Sequence, residues 1–353
     1  MLLIALFSVL FARTSFSPRD KQPFYRAQMI FKPSLRFPRC HSSQIYALPD
    51  GSLIAAWWNG SEEAGRDLVI RVSRRLPGNV NWEPPRIVAD TPDTTEGNPV
   101  FFMPSADELW LFYRAGFPWA KIMQVKSTDL GRTWTEPAVF LNEPGWTLRS
   151  RIIRLQNGDI IIPALTRGGQ ELKLPRALSV FIYSEDRGRS WQKTEAIHTE
   201  PGNNEPAIFQ RTDGSLLAFM RPYDPEPVER YMWQSESYDN GRTWSEPGRT
   251  PIRNPSSAIE VLKLVNGNVV LAFNDSREMR SPLCLALSLD DGRTWSSKRV
   301  LEDAPGRFSY PALAQSADGR IHVTYTFRRT HIKHVEVNEA WIRECPWKDF
   351  PGY

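Results

Sequence analysis

A chain of 353 residues with 41% hydrophobic and 24% charged side chains has room for one large all-β domain or two ordinary ones, and its composition excludes a disordered chain. The net charge of +4 comes from scattered basic residues without a Lys/Arg run, which argues against a nucleic-acid partner and leaves a mild preference for acidic ligands. Three cysteines (Cys40, Cys284, Cys345), odd in number and widely spaced without a CxxC, exclude a disulfide framework and a structural zinc site as expectations.

The chain starts MLLIALFSVLFARTSFS. Its apolar run from Leu2 to Phe11 suits the hydrophobic region of a signal peptide and is too short for a membrane span. The preceding residues carry no positive charge and the cleavage site is weak, so residues 1–20 read as a signal peptide or a disordered N-terminus. The first alternative implies a secreted or periplasmic protein. No other segment reads as a membrane span.

Next comes FYRAQMIF (Phe24 to Phe31), a strand candidate, and then a series of turns between β-rich runs. They fall at Asp50-Gly51, near Asp107, at Asn157-Gly158, Asp213-Gly214, Asn266-Gly267 and Asp318-Gly319. Asp-Gly and Asn-Gly between apolar runs predict hairpins closed by type I′ turns. A second series is interleaved with the first: STDLGRTW from Ser127, SEDRGRSW from Ser184, SYDNGRTW from Ser237 and SLDDGRTW from Ser288. Its aspartates, Asp129, Asp186, Asp239 and Asp290, step by 57, 53 and 51 residues. In each octapeptide the Asp and the Ser/Thr hydroxyls suit bonds to the turn's own backbone, and the Trp suits the blade interior. Four equivalent copies cannot all be one active site, so the octapeptide reads as a fold marker. No acidic loop has convincing calcium-ligand spacing. Near the end, HIKHVEVN is one more strand, with His331 and His334 read as solvated or edge positions.

Six units of four short strands predict a six-bladed β-propeller. One strand is missing after the last hairpin, and Phe24 to Phe31 can supply it, so the last blade is closed by the N-terminal strand. Residues 21–345 are then a single propeller and 346–353 a C-terminal tail.

The octapeptides resemble the Asp boxes, or BNR repeats, of the sialidase superfamily, and the resemblance runs over essentially the whole chain after residue 30. HSSQIYALPDGSLIAAWWNG is similar to the first-blade segment of sialidases. NNEPAIFQRTDGSLLAFMR is similar to the segment with a catalytic Glu and, sixteen residues on, a carboxylate-binding Arg, here Glu205 and Arg221. RSPLCLALSLDDGRTW places a further triad Arg at Arg280, and FSYPALAQSADG places the catalytic Tyr at Tyr310. Two positions depart. His41 stands where the family keeps its first triad Arg, and the catalytic Asp has no identical counterpart, with Glu62 or Glu63 nearby in GSEEAGRDLVIR.

Counting back eight or nine residues from each hairpin turn gives the equivalent start of every blade's first strand. In a propeller those strands line the central channel. The resulting ring is His41/Ser42, Asn98/Pro99, Leu148/Arg149, Asn204/Glu205, Ser257/Ala258 and Ser309/Tyr310. An imidazole, a carboxylate, a phenol, amides, hydroxyls and a guanidinium are the mixture expected where a polar ligand is fixed and protons move.

The resemblance implies a glycosidase acting on a terminal acidic sugar. Tyr310 would be the nucleophile, Glu205 its base, Glu62 or Glu63 the general acid, and Arg221 and Arg280 the carboxylate clamp. Arg149, Asn98, Asn204 and Ser257 are further substrate-binding candidates. His41 facing Tyr310 also suits β-elimination at a uronic acid, and a non-catalytic glycan-binding propeller is a third reading. The expected partner is an acidic oligosaccharide or glycoconjugate bound by a monomer, and no motif asks for a metal or cofactor.

Overall fold

The Asp-Gly and Asn-Gly turns close three-residue loops and not two-residue type I′ turns. Gly51 N donates to Leu48 O at 3.0 Å and Leu48 N to Ser52 O at 2.8 Å, and the same pair of bonds recurs around Gly158, Gly214, Gly267 and Gly319. Only the glycine is left-handed, with φ +80° at Gly51 and +97° at Gly158. The preceding Asp or Asn keeps an ordinary backbone because its side chain accepts the N–H two residues on, as Asp50 does from Ser52 at 3.0 Å. A type I turn finished by glycine needs one positive φ where type I′ needs two.

In a computed structural model that describes residues 22–116, 120–167, 177–223 and 230–350, these hairpins build six antiparallel sheets. The run Leu2 to Phe11 and the last three residues lie outside the described part. Blade 1 begins with strand Arg39–Ala47, blade 2 with Glu96–Ser105, blade 4 with Asn203–Gln210, blade 5 with Glu260–Lys263 and blade 6 with Phe308–Gln315. In blade 3 the first strand is broken into Trp146–Leu148 and Ile153–Arg154. Each of the others is the inner edge of a four-stranded sheet, so the fold is a six-bladed β-propeller. The last sheet takes its outer strand from the N-terminal side: Tyr25–Phe31 pairs antiparallel with His331–Val337, from Tyr25 against Val337 to Phe31 against Ile332.

The apolar core is split among the blade interfaces. One cluster joins Ile54 and Trp58 of blade 1 to Phe101 and Leu111 of blade 2, and another joins Leu262 and Leu285 of blade 5 to Phe308 and Tyr325 of blade 6. The octapeptides are part of these interfaces. A Cβ at Gly131 would lie 2.5 Å from Ile54 of the preceding blade, and one at Gly188 would lie 2.7 Å from Trp110. Each box bonds its own Ser hydroxyl and Asp carboxylate. Ser288 Oγ donates to Asp290 Oδ1 at 2.8 Å and accepts from Gly292 N, while Thr294 gives its hydroxyl to Asp290 Oδ2. At Asp129 slight burial is outweighed by bonds from the Thr133 hydroxyl and amide, which hold the carboxyl down to about 2.

A short helix, Glu339–Arg343, follows the last strand, and Trp347 beyond it stacks 6.0 Å from Phe273 of blade 5. No helix among the described residues is long and apolar enough to cross a membrane. His334 differs from its sequence reading. It is buried, because it faces back into its sheet against His322, with Nε2 3.1 Å from His322 Nδ1. Glu336 lies beside this pair but is taken by Arg26 and Arg75, and Ser316 takes the far nitrogen of His322, so the cluster's bonding groups are engaged within the protein.

Candidate active site

At the start of the first strands the backbone leaves regular pleating in blade after blade. Ser42, Asn98, Glu205, Ser256 and Tyr310 all have positive φ, between +47° and +58°. Register shifts mark the same places, between His41 and Gln44, Gly97 and Val100, Asn204 and Ala207, and Ser309 and Ala312. A left-handed non-glycine residue costs on the order of 1 kcal/mol or more, and bulges of this kind re-aim side chains out of the sheet. Here they aim toward one mouth of the channel.

That mouth holds a cavity of about 250 Å³ whose walls include His41, Glu63, Asn98, Asn204, Glu205 and Tyr310, with Arg114, Arg167, Arg221, Arg280 and Arg329. Tyr310 Oη donates to Glu205 Oε1 at 2.8 Å. Arg221 Nη1 bridges the same pair, 2.6 Å from Glu205 Oε2 and 3.2 Å from the phenol oxygen. Ser256 steadies the arginines, accepting from Arg221 Nε through its hydroxyl and from Arg280 Nη2 through its carbonyl. Burial disfavours the Glu205 carboxylate, but Arg221, Arg149 and the Tyr310 hydroxyl outweigh it and keep the group below its usual range. Glu205 is therefore ionised and already accepts the phenol proton. Burial, together with the neighbouring Arg221 and Arg329, pushes Arg280 down to about 10, with Tyr310 opposing.

His41 packs on Tyr310 with ring centroids 4.1 Å apart. Thr326 Oγ1 accepts from Ser42 N at 3.2 Å and stands 2.8 Å from His41 Nδ1. The other ring nitrogen, Nε2, is buried and meets no partner among the described residues. Burial first, then Arg329, Arg280, Arg149 and Arg221, drive the pKa of His41 well below the ordinary value. His41 is thus neutral and does not replace the charge of an arginine.

Arg329 brings that charge from elsewhere. It lies in the turn between the second and third strands of blade 6, with φ +60°, and its carbonyl accepts from Cys40 N. Its Nη1 is 2.7 Å from Glu63 Oε2. The sequence reading passed over it, although the RRT of Arg328 to Thr330 just beyond the last hairpin was its trace. Arg114 and Arg167, at or just beyond the ends of second strands in blades 2 and 3, were missed likewise.

The candidates do not all converge. Glu63 borders the cavity and Glu62 does not. Asn98 and Asn204 border it. Arg149 lies beneath the floor, its guanidinium 5.0 Å from the Tyr310 ring centroid, bonded to Pro311 O at 2.6 Å and 3.9 Å from Glu260. Burial pushes Glu260 up to about 7 against the pull of Arg149 and Arg151. Ser257 is fully buried outside the cavity wall, its N–H held by Asn254. A larger cavity, about 460 Å³, opens among Tyr46, Met103, Arg151, Arg154, Gln210 and Lys263. Its cations are engaged: Lys263 with Asp291, Arg151 with Leu313 O and Arg154 with Pro104 O.

The channel mouth of this propeller thus holds a phenol–carboxylate pair set among arginines. Residues 51–323 match the BNR repeat-like domain model, and the chain belongs to that family within the sialidase superfamily. It is 27% identical over 239 residues to a sialidase of Micromonospora viridifaciens, covering 61% of this chain and 35% of that one. A sialidase of Bacteroides fragilis is 25% identical over 230 residues, 60% of this chain and 40% of its own. The chain thus spans well under half the length of these relatives. Among solved structures, a Hadza microbial sialidase superposes with a TM-score of 0.73 at 21% identity, covering 86% of this chain and 66% of its own.

Proposed function

We propose that this protein is a retaining exo-glycosidase that removes a terminal acidic sugar, with Tyr310 as nucleophile. The observation that carries the reading is the 2.8 Å bond from the Tyr310 hydroxyl to an ionised Glu205, bridged by Arg221. A free phenol, with a pKa near 10, is a poor nucleophile at neutral pH. Glu205 takes its proton as the Tyr310 oxygen bonds to the anomeric carbon. The glycosidic C–O bond breaks and the leaving oxygen takes a proton from Glu63. Water then attacks the anomeric carbon: its hydroxyl stays on the sugar, its other proton goes to Glu63, and the departing Tyr310 oxygen takes back the proton that Glu205 received in the first step.

Arg221, Arg280 and Arg329 form the carboxylate clamp, through charge-assisted bonds. Arg329 comes from a different blade than the first-blade position the family uses, and neutral His41 lines the cavity beside it. A substrate carboxylate that binds Arg329 competes with Glu63 for it, freeing the Glu63 side chain to turn toward the leaving oxygen.

The test is incubation with a panel of acidic oligosaccharides read by mass spectrometry. Products heavier by one water that vanish with Tyr310→Phe support hydrolysis. Unsaturated products would replace it with the lyase reading, and glycan binding without turnover would leave a lectin.

A further inference from the structure

Arg149 stands outside the cavity wall, yet it reaches the reacting pair from below. It sits in the break of the first strand of blade 3, and from there its side chain, 1% exposed, crosses beneath the floor to blade 6. In blade 6 the bulge takes Tyr310 and Pro311 out of the ladder, with Ser309 pairing to Thr326 and Ala312 to Thr324. Arg149 Nη2 donates to Pro311 O at 2.6 Å and so fastens the residue after the nucleophile. The same guanidinium lies 5.0 Å from the Tyr310 ring centroid. Gln44 of blade 1 fixes Arg149 in turn, its Nε2 donating to Arg149 O at 2.7 Å. We propose that Arg149 is a positioning residue for the nucleophile: from beneath the floor its charge keeps Glu205 able to accept the phenol proton and steadies Tyr310 as that proton leaves. The inference rests on the glycosidase reading, in which Tyr310 and Glu205 act as nucleophile and base.

Charge is what a strut of the same shape would lack. A cation facing an aromatic ring is attracted to it, and the attraction grows when a phenol becomes a phenolate and spreads negative charge over the ring. Burial of the guanidinium weakens the screening of that attraction. Glu260 is the counter-charge. It is buried, and its Oε2 stands 3.9 Å from Arg149 Nη1, too far for a hydrogen bond, so Arg149 is only partly neutralised. Arg149 and Arg151 are the charges facing Glu260, and they oppose the burial that pushes it up to about 7. Below that pH Glu260 is neutral and Arg149 acts undiminished; above it the Glu260 carboxylate offsets part of the charge. Glu205 is faced by Arg221, Arg149 and Arg280 and by the Tyr310 hydroxyl. Tyr310 is faced by the same three arginines, by Arg114 and by neutral His41.

The test reads Glu205 without substrate. In protein labelled with ¹³C at the glutamate side-chain carboxyls, the Glu205 resonance, assigned by its loss in Glu205→Gln, is followed against pH. Arg149 favours the carboxylate, so Arg149→Gln raises the Glu205 midpoint by about one pH unit. Arg149→Lys keeps the charge and leaves the midpoint in place. Where Arg149→Gln folds poorly around a lone Glu260, Arg149→Gln combined with Glu260→Gln carries the same expectation, since Glu260 is already neutral where Glu205 titrates. On a cleaved acidic oligosaccharide the acid limb of kcat/KM moves up by the same step, and kcat falls about tenfold with KM nearly unchanged, because Arg149 does not touch substrate. Glu260→Gln removes the decline in kcat that ionisation of Glu260 brings above about pH 7. A Glu205 midpoint unmoved in Arg149→Gln and in the double variant, or moved equally by Arg149→Lys, overturns the inference. If the midpoint moves as expected while the unsubstituted protein cleaves no acidic oligosaccharide, the hydrolytic reading fails and the hold of Arg149 on Glu205 stands.

Discussion

Two sets of strained backbone recur around this ring, and they are opposite in chemistry. The Asp-box turns hold one left-handed non-glycine residue each, Leu130, Arg187, Asn240 and Asp291, followed by a left-handed glycine. The Ser and Thr hydroxyls and the Asp carboxylate of each box are bonded within the turn, five or six bonds to a box. The bulges at the channel mouth also hold left-handed residues, yet beside them His41 Nε2, Ser42 Oγ, Asn204 Oδ1, Ser309 Oγ and Arg280 Nη1 meet no partner among the described residues. Buried polar atoms are nearly always paired, so unpaired ones gathered in one place mark where a ligand completes the bonding. The first set stabilises the fold by closing on itself, and the second is left open at a cost that the proposed substrate would offset.

The comparison is broken most sharply by Tyr310→Phe, which removes one hydroxyl from the open set. A loss in kcat on the order of 10³-fold is expected, with the thermal midpoint unchanged or raised, because nucleophile and base act as a unit. Sugar release and thermal melting on the same samples check both halves.

Acid separates the two sets next. The boxes stay ionised, since Asp129 and Asp186 are held far below the ordinary carboxylate range. The buried imidazoles behave oppositely. His41, His322 and His334 all have lowered pKa values through burial, His322 down to about 4. The unfolded chain then binds protons more tightly than the folded one. Stability falls as pH drops below about 6.5 and goes on falling until the folded-state values are passed. For His322 alone the loss at pH 5 is about 2 kcal/mol, from roughly 1.4 kcal/mol per pH unit. Urea denaturation at about pH 7 and pH 5 measures it, and His322→Gln should flatten the dependence.

Arg329→Ala should raise KM about tenfold on an acidic substrate with a smaller change in kcat, as expected for a carboxylate contact. An unchanged KM would remove Arg329 from the clamp. The smallest effect belongs to the closed set. Asp290→Ala should lower stability by about 1 kcal/mol and leave kcat untouched, with melting and turnover measured together.

The sequence made the ring legible because hairpins and boxes are local signals repeated at nearly constant spacing. The same regularity reached the innermost strands: Glu205 and Tyr310 sit at their bulges and meet, as counting from Gly214 and Gly319 indicated. It went astray where a blade departs from the pattern. In blade 3 the strand breaks without a left-handed residue, and Arg149 points under the floor. In blade 5 the left-handed residue is Ser256, one place earlier than the count, so Ser257 turns away. A shift of one residue moves a side chain to the opposite face. Arg114, Arg167 and Arg329 were harder still. They lie where second strands run out into loops, and the distance from the hairpin to those ends varies from blade to blade.

The closure of the last blade has a bearing on how the protein is made. Tyr25–Phe31 finds its partner only when His331–Val337 has been synthesised, about 300 residues later. At roughly 5 to 20 residues per second the wait is on the order of 15 to 60 s. During it the nascent chain carries an early strand with open edges, a template for pairing with neighbouring chains. The charges and side-chain amide at Arg26 and Gln28 within that strand blunt it while the rest of the ring is built.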